Sequence, residues 1–423
     1  MKIKKNKLKP SSGPQALNKH SFYLTGLILL LVSFGAFSQN LNITGKITDS
    51  KNGEPLAYAS IFLSNSSYGT QSDENGNYKL VNIKAGQYEL IVRYLGYETY
   101  QQILKPNEKS QQLSIKLVPK MNELNEVVVR PDLHRERNLG IFKREFIGNS
   151  DAALKFKMLN PEVLTISYEE GKLLEASSYD FLIFENKHLG YRIKYILHEF
   201  TKTYIPDSFG AGMMYYEGAS LFEELKGRSA QIKRWKKNRL NTYLGSQTHF
   251  YRSILRNQTQ SQGFAMYPLI KKENADRPSD EIIEKKLERF RAFSGSSDKT
   301  KRDSLEYWIN KKNLPKQIQL LFKDSVQTKD IFRLTDQKEL SAILFPNSLY
   351  VTYKESGPVK QATSMYKPFD IGNLEGSTIN LTDKYVIFDQ NGIVVNARDV
   401  LYEGAWAIPK APQMLPSDYQ PGE

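Results

Sequence analysis

The sequence predicts a mainly β protein with some α: an N-terminal seven-stranded antiparallel β-sandwich followed by a larger β-rich α+β region. Three observations carry this expectation. Short apolar–polar alternations fill residues 41–118, with Gly- and Asn-containing turns about every 8–12 residues. Aromatic, β-favouring runs then recur from Val163 to Asp389. Among them lies one basic stretch, residues 225–272, with helical character. At 423 residues and 40% hydrophobic content, the chain is long enough for two or three packed cores.

Residues 1–38 read as an export signal. Lys2, Lys4, Lys5, Lys7, Lys9 and Lys19 precede an apolar run from Phe22 to Phe37, and Ala36-Phe37-Ser38 offers small residues before a cut at Gln39. That run is shorter than the ~20 residues a spanning helix needs. The expected location is the periplasm or the periphery of the outer membrane. The absence of cysteine excludes a disulfide framework, thiolate metal sites and a cysteine nucleophile. Five histidines leave few candidates for a metal ligand or a general base.

The sandwich spans residues 41–118. Ile43 and Ile47, then Ala57, Ala59, Ile61 and Leu63, then Leu90, Val92 and Tyr94, then Leu113, Ile115 and Leu117 alternate with other residues, which places one face of each strand in a core. Asn52-Gly53, Glu74-Asn75-Gly76, Lys84-Ala85-Gly86 and Gly96 supply the turns. Asp73-Glu74-Asn75-Gly76 has oxygens where a calcium loop has them but lacks the closing bidentate carboxylate, so it reads as a hairpin turn.

The ordered set Gly45-Lys-Ile-Thr-Asp49, Gly53-Glu-Pro-Leu56, Ala59-Ser-Ile61, Asp73-Glu-Asn-Gly76-Asn-Tyr78 and Gly96-Tyr97 resembles the carboxypeptidase-regulatory-like domain. It departs at Ser72, where that family usually carries Thr. The resemblance implies a transthyretin-like (prealbumin-like) sandwich in an exported protein of the type common in Bacteroidota. It does not imply peptidase activity. In metallocarboxypeptidases this module stands beside a separate catalytic domain whose zinc is held by a His-x-x-Glu pair and a distant His. Here His134, His188, His198 and His249 are followed three residues on by Arg137, Tyr191, Thr201 and Arg252.

Residues 119–134 read as a linker. Its run Asn122 to Val129 resembles the extended segment that follows this module in TonB-dependent transporters, which implies strand addition to a periplasmic energy-transducing protein. On their own the residues read as a β-prone strand and linker ended by Pro131, and no barrel-like series of strands follows. Residues 135–423 form the β-rich α+β region. Its first part, to residue 224, reads as more strand than helix. Residues 229–262 read as helical, with Ser246 as an N-cap. Residues 272–303 read as a helix followed by a flexible connector over Gly295–Arg302. The stretch Asn238 to Ser253 resembles a run that recurs in secreted proteins of this architecture; the resemblance implies no activity.

Catalytic signatures are sparse. There is no Gly-x-Ser-x-Gly, His-Glu-x-x-His or Walker loop. Ser296 and Lys299 have the spacing of a serine–lysine pair but fall in a polar connector with nothing to exclude water. His198, Glu199 and His249 are the catalytic residues to test, although neighbours on a strand point to opposite faces. Arg239, Tyr243, His249 and Arg252 form the candidate ligand-binding set, because His249 and Arg252 share a helical face and Arg binds phosphate or carboxylate bidentately. The plainer reading is a helix whose polar groups bond its neighbours.

The net charge is +13, from 59 Lys and Arg against 46 Asp and Glu. Six of those charges belong to residues 1–20, and Leu225–Lys272 carries eleven cations and no acid, so the remainder is slightly acidic. The case for an anionic partner therefore narrows to residues 225–272. The expectation is a non-enzymatic cell-envelope binding or scaffold protein, with no cofactor and no metal. Its partner would be an envelope glycan, a lipid head group or a protein, and not nucleic acid. Trp235 among Lys233, Arg234, Lys236 and Lys237 would favour peripheral membrane association. The alternatives are an envelope hydrolase with its site in residues 135–423 and an accessory protein of TonB-type transport.

Overall fold

The computed structural model describes residues 41–84, 86–104, 110–120, 134–205, 211–291, 299–322, 324–354, 376–408 and 410–422. The expected signal peptide, Asn122–Val129 and Ser296 lie outside the described residues.

The first eight strands are β1 (Leu41–Asp49), β2 (Ser60–Leu63), β3 (Gly69–Gln71), β4 (Asn77–Ile83), β5 (Tyr88–Arg93), β6 (Tyr100–Leu104), β7 (Ser110–Gln112) and β8 (Ile115–Leu117). They form two four-stranded sheets, β4-β1-β7/β8 and β3-β2-β5-β6. β7 and β8 both pair with β1, so they are two halves of the expected seventh strand. This pairing is parallel, the exception in an otherwise antiparallel sandwich. The chain crosses so close to β1 here that a Cβ on Gly45 would stand 1.8 Å from the carbonyl oxygen of Leu113, which only glycine permits. The core between the sheets holds Ile43, Ile47, Ile61, Leu63, Leu80, Leu90, Val92 and Ile115, as the alternation predicts. Asp73 closes its hairpin by accepting from the backbone N–H groups of Asn75 and Asn77, at 2.9 and 2.8 Å.

The larger region begins with a helix, α1 (Arg135–Phe146), followed by β9 (Phe156–Met158), β10 (Leu164–Glu169), β11 (Leu173–Ser178), β12 (Leu182–Asn186), β13 (Tyr191–Tyr204) and β14 (Gly212–Glu224). β14 pairs along the whole of β13, while β12 and β11 share its other edge. β13 carries a bulge between Leu197 and Glu199. Before it, Tyr191, Ile193, Tyr195 and Leu197 are buried; after it, Phe200 and Lys202 are. His198 is the extra residue that shifts the buried face from odd to even positions. On that face α1 packs Phe142 and Phe146 against Phe184, Tyr195 and Phe200, with ring centroids 5.1–6.1 Å apart.

The opposite face of this sheet is not open. Ile196, Ala219 and Leu221 meet Phe62 and Ile91 on the outer side of the sandwich's second sheet. Phe62 and Ile91 are fully buried, so β2 and β5 are covered on both faces. Each such side chain contributes about 1.5–3 kcal/mol. Around this apolar patch, Phe222 N–H donates to Ser66 O at 2.9 Å, Ser220 Oγ to Asn65 Oδ1 at 2.9 Å, and Ser417 N–H to Asn65 O at 2.7 Å. Ser67 donates its N–H and its hydroxyl to the two carboxylate oxygens of Asp418. The sandwich is thus docked on the larger region, and the tail helps hold it there.

The basic segment folds as α2 (Ser229–Tyr243) and α3 (Gln247–Leu255). The N-cap expected at Ser246 is present: its hydroxyl accepts from His249 N–H at 3.2 Å. Next come β15 (Phe264–Glu273), α4 (Asp280–Arg291), α5 (Lys299–Asn313), β16 (Gln317–Leu321), α6 (Thr328–Ile331), β17 (Phe332–Leu334), β18 (Leu340–Ile343), β19 (Ser348–Tyr353), β20 (Gly376–Leu381), β21 (Val386–Asp389) and β22 (Val400–Gly404). β16-β15-β19-β20-β22 form one sheet and β17-β18-β21 another. Phe250, Tyr251 and Ile254 of α3 pack with Phe264, Ile343, Val386 and Phe388 in their shared core. The expected connector over Gly295–Arg302 is corrected in part: Lys299–Arg302 are the first turn of α5. α4 and α5 form a helical hairpin that grows from the β15–β16 hairpin, joined by Lys312–Glu284 at 2.5 Å.

Candidate functional site

The four candidate ligand-binding residues fall in two places. Arg239 lies on the buried face of α2 with Trp235 and Tyr243. Its Nε and Nη2 donate to the carbonyls of Leu189 and Gly190 at 2.8 and 3.2 Å, Nη1 pairs with Glu224, and the guanidinium lies 3.9 Å from the Tyr191 ring centre. Trp235 is buried beside it and donates its indole N–H to Lys187 O at 3.0 Å. A Cβ on Gly190 would stand 2.3 Å from that indole, and Gly190 has φ +78°, so glycine is required twice over. Trp235 is therefore the pin that fixes α2, not the membrane-facing aromatic the sequence suggested.

Arg252 lies on α3 and is 3% exposed. Its Nε, Nη1 and Nη2 donate to the carbonyls of Asn391, Tyr419 and Ser417 at 2.8, 2.8 and 2.7 Å. All three nitrogens are spent on closing the tail over the 389–392 hairpin. His249 is also buried. Its Nδ1 accepts from Gly245 N–H at 3.1 Å, so the ring proton sits on Nε2 and donates to Gln262 Oε1 at 3.0 Å. Burial pulls its pKa below the ordinary histidine value, with the Gln262 bond opposing. A neutral ring whose lone pair is already occupied is poorly set to accept a proton from a substrate. Tyr243 packs 4.8 Å from His249 and 5.7 Å from Tyr419.

His198 and Glu199 lie on β13, apart from His249 on α3. His198 is exposed at the bulge. Glu199 faces Glu217 across the β13–β14 pair, and both carboxylates bind Arg398 Nη2, at 2.8 and 3.1 Å. The side chains of this triad are 43–63% exposed, so it is a solvated ion cluster. Tyr215 donates to Glu217 at 2.6 Å, and that bond, followed by Arg398, holds the Glu217 pKa below the usual range. Among the described residues no group of three His, Asp or Glu side chains is placed to hold a metal ion.

Two features remain open to a ligand. The first is the outer surface of α2. Lys226, Arg228, Lys233, Arg234, Lys236 and Lys237 are exposed, and none makes an ion pair among the described residues. Of the other basic residues in the segment, Arg239 and Arg252 are internal and Lys271 pairs with Glu403 at 2.7 Å. The second is a cleft of about 300 Å³ where the α2–α3 corner, Tyr216 of β14 and the tail from Trp406 to Tyr419 meet. Tyr243 and Arg252 contribute to its walls, so two of the four sequence candidates border it. Sequence reasoning missed Lys410, which also lines it, because a lone lysine in a Pro-rich tail carries no pattern.

Residues 43–129 match the family described as CarboxypepD_reg-like domain. The TonB-dependent receptor P3 of Formosa agariphila is 31% identical over 112 residues, which are 26% of this chain and 11% of the receptor. The chain thus matches about a tenth of that relative's length. Among solved structures, BcpA, the major pilin subunit of Bacillus cereus, aligns with 19% identity over 19% of this chain and 30% of the pilin chain, at a TM-score of 0.17. A type II cohesin–X-dockerin complex from Acetivibrio cellulolyticus aligns with 18% identity over 18% of this chain and 51% of that chain, at a TM-score of 0.16. Residues 43–129 of this chain are a CarboxypepD_reg-like domain, carried at the front of a mostly β protein.

Proposed function

We propose that the chain is a non-enzymatic binding and scaffold protein of the cell envelope, and that the exposed face of α2 receives an anionic envelope glycan. One observation carries this reading: six cations stand exposed on α2 and its approach without an ion pair among the described residues, in a 48-residue segment that has no acid. Unpaired like charges repel one another, and a polyanion relieves that repulsion. The buried Trp235 supports a glycan over a lipid surface, because it leaves this face without an aromatic anchor. The export signal read in residues 1–38, the CarboxypepD_reg-like domain and the 112-residue likeness to a TonB-dependent receptor support the envelope setting. The internal bonding of Arg239, His249 and Arg252 supports a scaffold over a hydrolase.

Retention on immobilised polygalacturonate, with neutral dextran as control, tests the proposal. The protein should bind the acidic polymer and not dextran. Joint replacement of Lys233, Arg234, Lys236 and Lys237 by Gln should weaken binding about tenfold or more, at a few tenths of a kcal/mol per exposed charge. Binding to anionic vesicles but not to the polymer would count against a glycan. The likeness to the receptor also favours a second reading, a transport accessory that uses Asn122–Val129; deleting that stretch should then abolish capture of a periplasmic energy-transducing protein.

A further inference from the structure

The cleft at the α2–α3 corner has the chemistry of a different and smaller ligand. Two cations border it, Arg252 and Lys410; the Arg252 nitrogens are spent on the carbonyls of Asn391, Tyr419 and Ser417, so the cation with a donor to offer is Lys410. The side chain is half-buried, and its Nζ makes a long hydrogen bond to the sulfur of Met214, at 3.8 Å. No carboxylate forms an ion pair with it among the described residues, and no Asp or Glu lines the cleft. Glu145, the acid that bears on it, pairs with Arg144 at 3.4 Å, and Lys202 adds a second positive charge nearby. Burial, opposed by Glu145, draws the Lys410 pKa below that of an ordinary lysine. An ammonium so placed is a standing cost, which an entering anion would offset.

The rest of the wall is suited to hydroxyl groups. Gln247 uses its Nε2 on Trp406 O at 3.3 Å, and its Oε1 accepts no hydrogen bond among the described residues. Gln413 uses its Oε1 on Lys410 N–H at 2.9 Å, and its Nε2 donates no hydrogen bond among the described residues. The hydroxyls of Thr242 and Thr248 make no hydrogen bond among the described residues. Trp406, Tyr216 and Met414 supply apolar wall. One cation with an open donor beside the internally bonded Arg252, several neutral donors and acceptors, and aromatic surface within about 300 Å³ match the low end of small-molecule sites.

We propose that this cleft binds a single acidic sugar unit of the hexuronate type, with its carboxylate on Lys410 Nζ and its hydroxyls on Thr242, Thr248, Gln247 and Gln413. This does not rest on the α2 reading, since a monosaccharide carries one charge and is read at Lys410.

Calorimetric titration of the full chain with glucuronate, glucose and acetate tests it. Glucuronate should bind at least tenfold more tightly than glucose or acetate, since each lacks one half of the recognition. Lys410→Met should lower glucuronate affinity tenfold or more with a melting temperature no lower than wild type, and Lys410→Arg should restore part of the affinity. Thr242→Val should weaken glucuronate and leave the weak acetate binding as it was, which separates hydroxyl recognition from charge. Equal affinity for glucose and glucuronate, wild-type affinity in Lys410→Met, or no heat with glucuronate at about 10 mM, where even a millimolar site fills, would each overturn the proposal. Polymer binding at α2 is read with polygalacturonate, so failure of either site shows separately.

Discussion

Replacing Arg252 by Met separates a structural arginine from a ligand-binding one. Methionine keeps an unbranched stem of similar length but removes three donors. The carbonyls of Asn391, Ser417 and Tyr419, now bonded at 2.7–2.8 Å, would lose their partners in a buried place. Each unpaired buried acceptor costs about 1–3 kcal/mol, so even the low end gives a loss of about 3 kcal/mol. That is a large share of the ~5–15 kcal/mol that keeps a domain folded. Arg252→Lys should fall between, because one ammonium cannot serve three carbonyls in the geometry of the guanidinium fork. Denaturant unfolding followed by tryptophan fluorescence measures the loss. Limited proteolysis should show the tail after Pro416 becoming cleavable. A loss below about 1 kcal/mol with a protected tail would refute the reasoning and return Arg252 to the role of a ligand contact.

Asp389 is buried at its hairpin turn, and desolvation raises its pKa from 3.8 to about 6 despite the N–H groups of Ile393 and Asn391 that bond it. A carboxyl whose folded pKa exceeds its unfolded pKa favours folding most below pH 3.8, and that contribution is lost as pH rises through about 6. Asp389→Asn should therefore be more stable than wild type near pH 7, by up to about 3 kcal/mol, with the advantage shrinking toward pH 4; equal stability of the two across this range would contradict the burial argument. Phe62→Ala, at the junction of sandwich and larger region, should cost about 3–5 kcal/mol in denaturant unfolding; less than about 1 kcal/mol would show that the two are not packed together. By NMR, the neutral His249 ring should carry its proton on Nε2 and titrate below the unperturbed value of about 6.5; a midpoint at or above that value would sink its assigned bonds.

The sandwich was legible because its strands alternate and its turns carry glycine. The alternation hid one thing. Ile61-Phe62-Leu63 and Leu90-Ile91-Val92 are continuous apolar runs, and in them Phe62 and Ile91 fill a second interface. The shift of buried positions at His198 was also in the sequence, as an apolar series that moves from Tyr191–Leu197 to Phe200, but a bulge breaks the rule that adjacent residues face apart. α1 escaped notice although Leu139, Phe142 and Phe146 keep helical spacing, because aromatic strand formers dominate the residues after it. The first turn of α5, Lys299–Arg302, looked like part of a connector because it is wholly polar, and the helix gains its support from α4. At the site, the residue types were legible and their use was not. Arg252 bonds carbonyls 139–167 positions away, and no local pattern shows which arginine will be buried.

On the proposed function, the exposed cationic face of α2 holds an acidic glycan. The most direct measurement is the affinity for polygalacturonate as a function of salt, for wild type and for the variant with Lys233, Arg234, Lys236 and Lys237 changed to Gln. Exposed charges are screened over about 10 Å at 0.1 M salt and about 3 Å at 1 M. Wild-type affinity should fall steeply across that range, and the variant should start weak and stay nearly flat. Equal affinities and equal salt dependence for the two proteins would show that α2 does not hold the glycan.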